Sequence, residues 1–195
     1  MNSKMLAVGI MTAAFSHTSM AEDNSKVAKA LAERYIGTLG CSVEKVGPRN
    51  IARITDSGSN SESNLNSYYV AAVESDLQCA GGSGTSAAHL VVVGNAEMDY
   101  RSMDGAQRAE DLRVRPELSA PAVATVGAPR AITSLYIKDG QLQATGLEYS
   151  SSDANCCPSL KTIYKVQLVK KDVQVGKDDK RPANTWLFTK IKNYQ

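Results

Sequence analysis

Apolar and polar positions change period once along the chain. Between 25 and 40, Val27, Leu31, Tyr35 and Leu39 recur four apart while Lys26, Lys29 and Glu33 fall elsewhere, which predicts an amphipathic helix. Asn24 or Ser25 can cap its start and Gly40 can end it. Beyond it the helical period disappears. Seven short segments rich in β-branched and aromatic residues follow, over 50–55, 68–74, 87–93, 132–138, 141–149, 162–169 and 186–191, each bounded by turn residues. Strands this short and this closely spaced predict a mostly antiparallel sheet. The clearest hairpin runs from Leu135 to Leu142, with Asp139-Gly140 at the two central positions of a type I′ turn, where positive φ is required. The expected fold class is therefore α+β: an N-terminal helix packed on a twisted, mostly antiparallel sheet, with the strand around Trp186 completing it and the Trp186 side chain buried.

Two stretches break the pattern. Residues 56–67 (DSGSNSESNLNS) are polar and read as a loop. Residues 115–130 are rich in Pro, Ala and Val and read as a crossing from the first strand group to the second.

The first 21 residues stand apart from this order. Lys4 provides a positive start, 5–15 an apolar stretch, and Ser19-Met20-Ala21 small residues where a signal peptidase reads, so cleavage is expected after Ala21. Residues 22–195 are then expected to form a single globular domain. The apolar run is shorter than the roughly 20 residues of a membrane helix, and no transmembrane segment is expected. Export to a periplasm or beyond changes how Cys41, Cys79, Cys156 and Cys157 are read, because thiols in an oxidising compartment usually pair. Three connectivities are open: Cys41–Cys79 with Cys156–Cys157, or either arrangement in which the adjacent pair reaches separately to Cys41 and Cys79.

Charge narrows the partners. There are 22 Lys+Arg against 20 Asp+Glu, and Lys4 is the only charged residue in the expected leader, so the mature chain keeps a net charge of only +1. A nucleic-acid partner is not expected from so even a balance.

Candidate chemistry lies in two loops. Cys79-Ala-Gly-Gly-Ser-Gly-Thr-Ser carries Gly81, Gly82 and Gly84 around Ser83, and its amides can turn inward as an anion-binding nest. It lacks the lysine of a phosphate loop and the closing glycine of a nucleophile elbow, so a hairpin connection is the plainer reading. Ser83 or Ser86 with His89, the one histidine left after the expected cleavage, is the only nucleophile and base pairing on offer. The polar loop from Asp56 lacks the glycine and the bidentate glutamate of a calcium loop, and no C-x-x-C spacing suggests zinc. No metal or cofactor is expected. The second loop is Asp153-Ala-Asn-Cys-Cys-Pro-Ser, where Pro158 restricts Cys157 to extended backbone and the adjacent cysteines either form a ring or anchor two strands.

The succession of a strand at 69–74, the Gly81-Gly-Ser-Gly-Thr loop, the His89-Leu-Val-Val-Val strand, the Ile137-Lys-Asp-Gly-Gln hairpin and Asp153-x-x-Cys-Cys-Pro-Ser resembles a group of bacterial exported proteins that includes the LppP/LprE-type lipoproteins. The resemblance spans about residues 50–170, and D-x-x-C-C-P-S is its specific motif. This chain lacks their lipid-attachment cysteine, and 56–67 is Ser- and Asn-rich where related sequences are often acidic and glycine-rich. What the resemblance implies is an envelope-associated, β-rich domain with no catalytic residue to carry over. The expected function is thus a non-enzymatic binding or accessory module with an envelope protein or small ligand as partner; the alternatives are a small serine hydrolase and a small-ligand or cation binder.

Overall fold

A computed structural model describes residues 18–55, 67–81, 85–95, 111–154, 157–174 and 180–194. Among the described residues one helix, α1 (Thr18–Gly37), precedes nine strands: β1 (Ile51–Thr55), β2 (Ser67–Ser75), β3 (Ala87–Asn95), β4 (Leu112–Val114), β5 (Ala124–Val126), β6 (Ala131–Lys138), β7 (Gln141–Glu148), β8 (Leu160–Gln174) and β9 (Lys180–Tyr194). The strands form two sheets, ordered β1-β2-β3-β4 and β5-β9-β8-β7-β6. Every pairing is antiparallel except β5 with β9. The α+β class of the sequence reading holds, but the expected single sheet is two stacked ones, and α1 covers only the first.

The stacking explains the composition of β2 and β3. Tyr69 to Val73 and Leu90 to Val93 are buried without interruption, as strands must be when both faces are covered. Val70, Ala72, Leu90 and Val92 face the second sheet and meet Leu135, Ala144, Tyr164 and Phe188. Tyr69, Ala71, Val91 and Val93 face the other way and meet α1. The layers are helix, sheet, sheet, with a core in each gap.

The helix presents a different stripe from the expected one. Asn24, Ala28, Ala32 and Ile36 are its buried positions; Val27, Leu31 and Tyr35 flank them half-buried, and Leu39 lies beyond the helix end, 40% exposed. Small alanines let the helix axis approach the sheet, and the larger side chains splay to either side. The Glu33 carboxylate then accepts the Val46 amide at 2.7 Å, tying the segment after α1 back to it.

The 115–130 segment does more than cross. A 3-10 turn at Pro116–Leu118 leads to Ser119, whose buried hydroxyl accepts the Val92 amide (2.9 Å) and donates to the Arg115 carbonyl (2.7 Å). Past a cis Ala120–Pro121 bond, β5 joins the second sheet beside β9. The two sheets are also linked at the other side, where the Leu135 amide donates to the Arg49 carbonyl (2.7 Å) and Asn50 Nδ2 to the Ile132 carbonyl (3.1 Å). Among the described residues no helix is long and apolar enough to cross a membrane.

Candidate functional site

The first loop singled out in the sequence begins where β2 ends. Asp76 is buried there, and its carboxylate accepts the Gln78 amide (3.2 Å), the Gly81 amide (3.0 Å) and the Thr85 hydroxyl (2.9 Å). The described part of the expected anion nest is thus occupied by the chain's own anion. The Gly81 amide above all holds the Asp76 carboxyl below its ordinary range. Gly81 at φ +69° and Cys79 at φ +54° make the reversal; Gly82, Ser83 and Gly84 lie outside the described residues. Cys79 is bonded to Cys41, just beyond α1, and the Cys41 amide donates to the Asp76 carbonyl at 3.1 Å. Helix end and loop are stapled together, and the two cross-connected disulfide arrangements are excluded.

The second loop closes by the same device. Asp153 accepts the Ser150 amide (2.8 Å), the Ser159 amide (2.8 Å) and the Ser159 hydroxyl (2.7 Å), so the first and last residues of D-x-x-C-C-P-S bind each other across the turn between β7 and β8. Cys157 is disulfide-bonded and its amide donates to the Ala154 carbonyl; Pro158 is half-buried, and Cys156 lies outside the described residues. The Ser150 amide, with the Ser159 groups, holds the Asp153 carboxyl far below its usual range. A carboxyl depressed in the folded state contributes stability above its unfolded pKa of about 3.9 and loses it as pH falls toward the folded value. The melting temperature of the wild-type chain should therefore decline below about pH 4. Asp153→Asn should melt lower at neutral pH and converge with wild type in acid, as a calorimetric series from pH 7 to pH 2 would show; parallel curves would contradict the clamp.

Of the alternative pairing of Ser83 or Ser86 with His89, Ser83 lies outside the described residues, and Ser86 and His89 each have another partner. His89 Nε2 sits 3.1 Å from the Ser75 carbonyl, and burial lowers the imidazole pKa, with the carbonyl opposing. Ser86 is hydrogen-bonded to Glu74, whose carboxyl is raised by burial and by the neighbouring Glu44. His89 lines a groove of about 560 Å³ with Pro121, Pro129 and Arg130. The loop considered for calcium falls at 56–66, outside the described residues, and only Ser67 at its end is placed, in β2.

At the opposite end of β3 lies a feature that the sequence does not announce. A cleft of about 480 Å³ opens between the sheets, within the ~300–1,000 Å³ typical of small-molecule sites. Ile54, Tyr68, Val70 and Val92 form one wall, and Leu142, Val166, Leu168 and Trp186 the other. The indole N–H of Trp186 is already spent on the Leu118 carbonyl at 2.9 Å. The cleft therefore presents more apolar than polar surface, with Gln141, Lys165 and Gln167 adding polar groups to its lining. At Tyr68 the wall is braced by Arg115, whose guanidinium lies over the ring at 5.9 Å while it pairs with Glu117 at 2.6 Å.

Fold and site together define a disulfide-stapled helix–sheet–sheet sandwich with an apolar cleft at one end. No family model matches the chain, and neither a curated protein nor a solved structure matches it.

Proposed function

We propose that this chain is an exported, non-enzymatic binding module of the bacterial cell envelope, and that the cleft at the open end of the sandwich is where it binds. The observation that carries the reading is the cleft itself: apolar side chains from both sheets converge on a preformed space whose one indole donor is already satisfied. A site of this kind holds apolar groups by excluding water, while Gln141, Lys165 and Gln167 at its lining can meet a polar end of the same ligand. Export is supported by the leader-like first 21 residues and by a Cys41–Cys79 staple suited to an oxidising compartment. The resemblance to envelope proteins points the same way.

Trp186 is the single tryptophan and lines the cleft, so the protein carries its own reporter. Chain secreted to a periplasm should begin at Glu22. Titrated with anilinonaphthalene sulfonate, it should show saturable change in tryptophan emission and a raised melting temperature. Unprocessed chain, or a dye response that is absent or unsaturable, would refute the proposal.

A further inference from the structure

The cleft is bordered by a second unusual feature, the length mismatch between neighbouring strands. β7 pairs with β8 only from Leu160 to Lys165, opposite Glu148 to Gln143; the first two residues of β7, Gln141 and Leu142, pair with β6 but not with β8. β8 runs on to Gln174, paired along its other edge with β9. Among the described residues, no strand pairs with the β7-side edge of β8 beyond Lys165. A strand edge in this state offers alternate N–H and C=O groups to an incoming chain. The bare edge starts at the cleft: Val166, Gln167 and Leu168 are part of its lining, and Leu168 is 37% exposed.

We propose that the edge of β8 from Val166 to Lys171 accepts an extended peptide segment of a partner protein, lying in line with β7. The proposal rests on the reading of the cleft as a binding site and names what enters it. Side chains alternate across a strand, so every second residue of the added segment faces the gap between the sheets, beside Val166 and Leu168, and is apolar. The intervening residues face the side of Lys165, Gln167, Val169 and Lys171, where Arg181 of β9 falls by its pairing with Val173, while Lys170 and Asp172 alternate to the other face. Acidic residues at those positions complete the match. The same lysines oppose pairing of this edge with its counterpart on a second copy, since two like-charged edges repel.

The test uses the mature chain and a fluorescein-labelled library of eight-residue peptides in which Glu or Asp alternates with Val, Ile, Leu or Phe. Binding should be saturable, weakened by salt, and accompanied by slowed amide exchange in residues 166–171. It should fall about tenfold or more for Leu168→Asp, which sets a charge in the cleft, and fall also for Lys171→Glu. Both positions are solvent-accessible, so both variants should fold, as circular dichroism would verify. Alternate N-methylation of the peptide backbone should abolish binding while leaving every side chain in place. Equal binding of the N-methylated peptides, or no binding across the library, overturns the proposal. If the dye still binds in that case, the cleft remains a site for small apolar ligands; if neither binds, both readings fail. Concentration-dependent dimerisation that is lost in Leu168→Asp would instead assign the edge to a second copy and equally overturn it.

Discussion

Replacing Trp186 by alanine is expected to destabilise the chain by about 3–5 kcal/mol, a loss of roughly 6–20 °C in melting temperature for a domain of this size. Trp186 is 4% exposed, packs in the core between the sheets, and forms part of the cleft wall. Removing it takes a large apolar area out of the interior and enlarges a space that already exists, so neighbours cannot collapse to fill it. It also strands the Leu118 carbonyl, which has the indole N–H as its partner; such an orphan costs about 1–3 kcal/mol where water cannot replace the donor. Trp186→Phe separates the two contributions, because it keeps most of the area and loses only the hydrogen bond. Since the alanine variant has no tryptophan, urea unfolding followed by far-ultraviolet circular dichroism is the appropriate measurement. In the wild type, acrylamide should quench Trp186 emission poorly. Ready quenching, or an alanine variant within about 1 kcal/mol of wild type, would mean that the residue is not in the core.

The elements legible in the sequence are those with local signals. The Asp139-Gly140 turn is found as expected, with both residues at positive φ (51° and 70°). The runs at 69–73 and 90–93 read as strands, and their unbroken apolar character is itself the mark of burial on both faces. Strand spacing alone does not carry that mark, which is why it predicts one sheet where two stack. In the helix, the eye follows Val27, Leu31 and Tyr35 by size, whereas the deepest positions belong to Ala28 and Ala32, chosen for closeness rather than area. β8 and β9 extend past the expected ends at 169 and 186 because Lys170-Lys171-Asp172 and Lys180-Arg181 resemble turns in sequence; on a two-stranded ribbon, both faces tolerate charge.

Composition locates the two loops, but their working parts are the plain aspartates. Asp76 precedes the glycine loop by several residues, and only its buried, multiply bonded carboxylate reveals that it organises the turn. A recognisable signal does exist, since an aspartate just before a chain reversal commonly accepts the amide two residues on, as Asp76 does from Gln78. The cleft is illegible for a different reason. It arises from the register of β7 on β8 and from the separation of two sheets, neither of which is encoded in any short stretch of residues.

Loss of the Cys41–Cys79 bond carries the second large effect. The two cysteines are 38 residues apart, and the chain-entropy relation for a loop of that length gives about 4 kcal/mol of stabilisation, by restriction of the unfolded chain. The double variant Cys41→Ala/Cys79→Ala is the clean form of the test, because a single replacement leaves a thiol free to attack the bond at Cys157. In the folded state the staple is surrounded by bonds that survive its removal: the Cys41 amide to the Asp76 carbonyl, and the Ser75 hydroxyl to the Ser42 carbonyl at 2.5 Å. The folded structure should therefore persist, with wild-type circular dichroism and an unshifted dye affinity at the distant cleft. Unfolding should move to lower urea at an increased m-value, since an uncrosslinked chain exposes more surface when it unfolds. An unchanged midpoint would show that α1 and the glycine loop are held by packing alone. A folded state that is lost altogether would show that the bond organises the helix–sheet layer rather than merely limiting the unfolded ensemble. Peptide mapping of the same variant addresses the other pair: with Cys41 and Cys79 gone, Cys157 is expected to remain oxidised, linked to Cys156 as the one remaining cysteine.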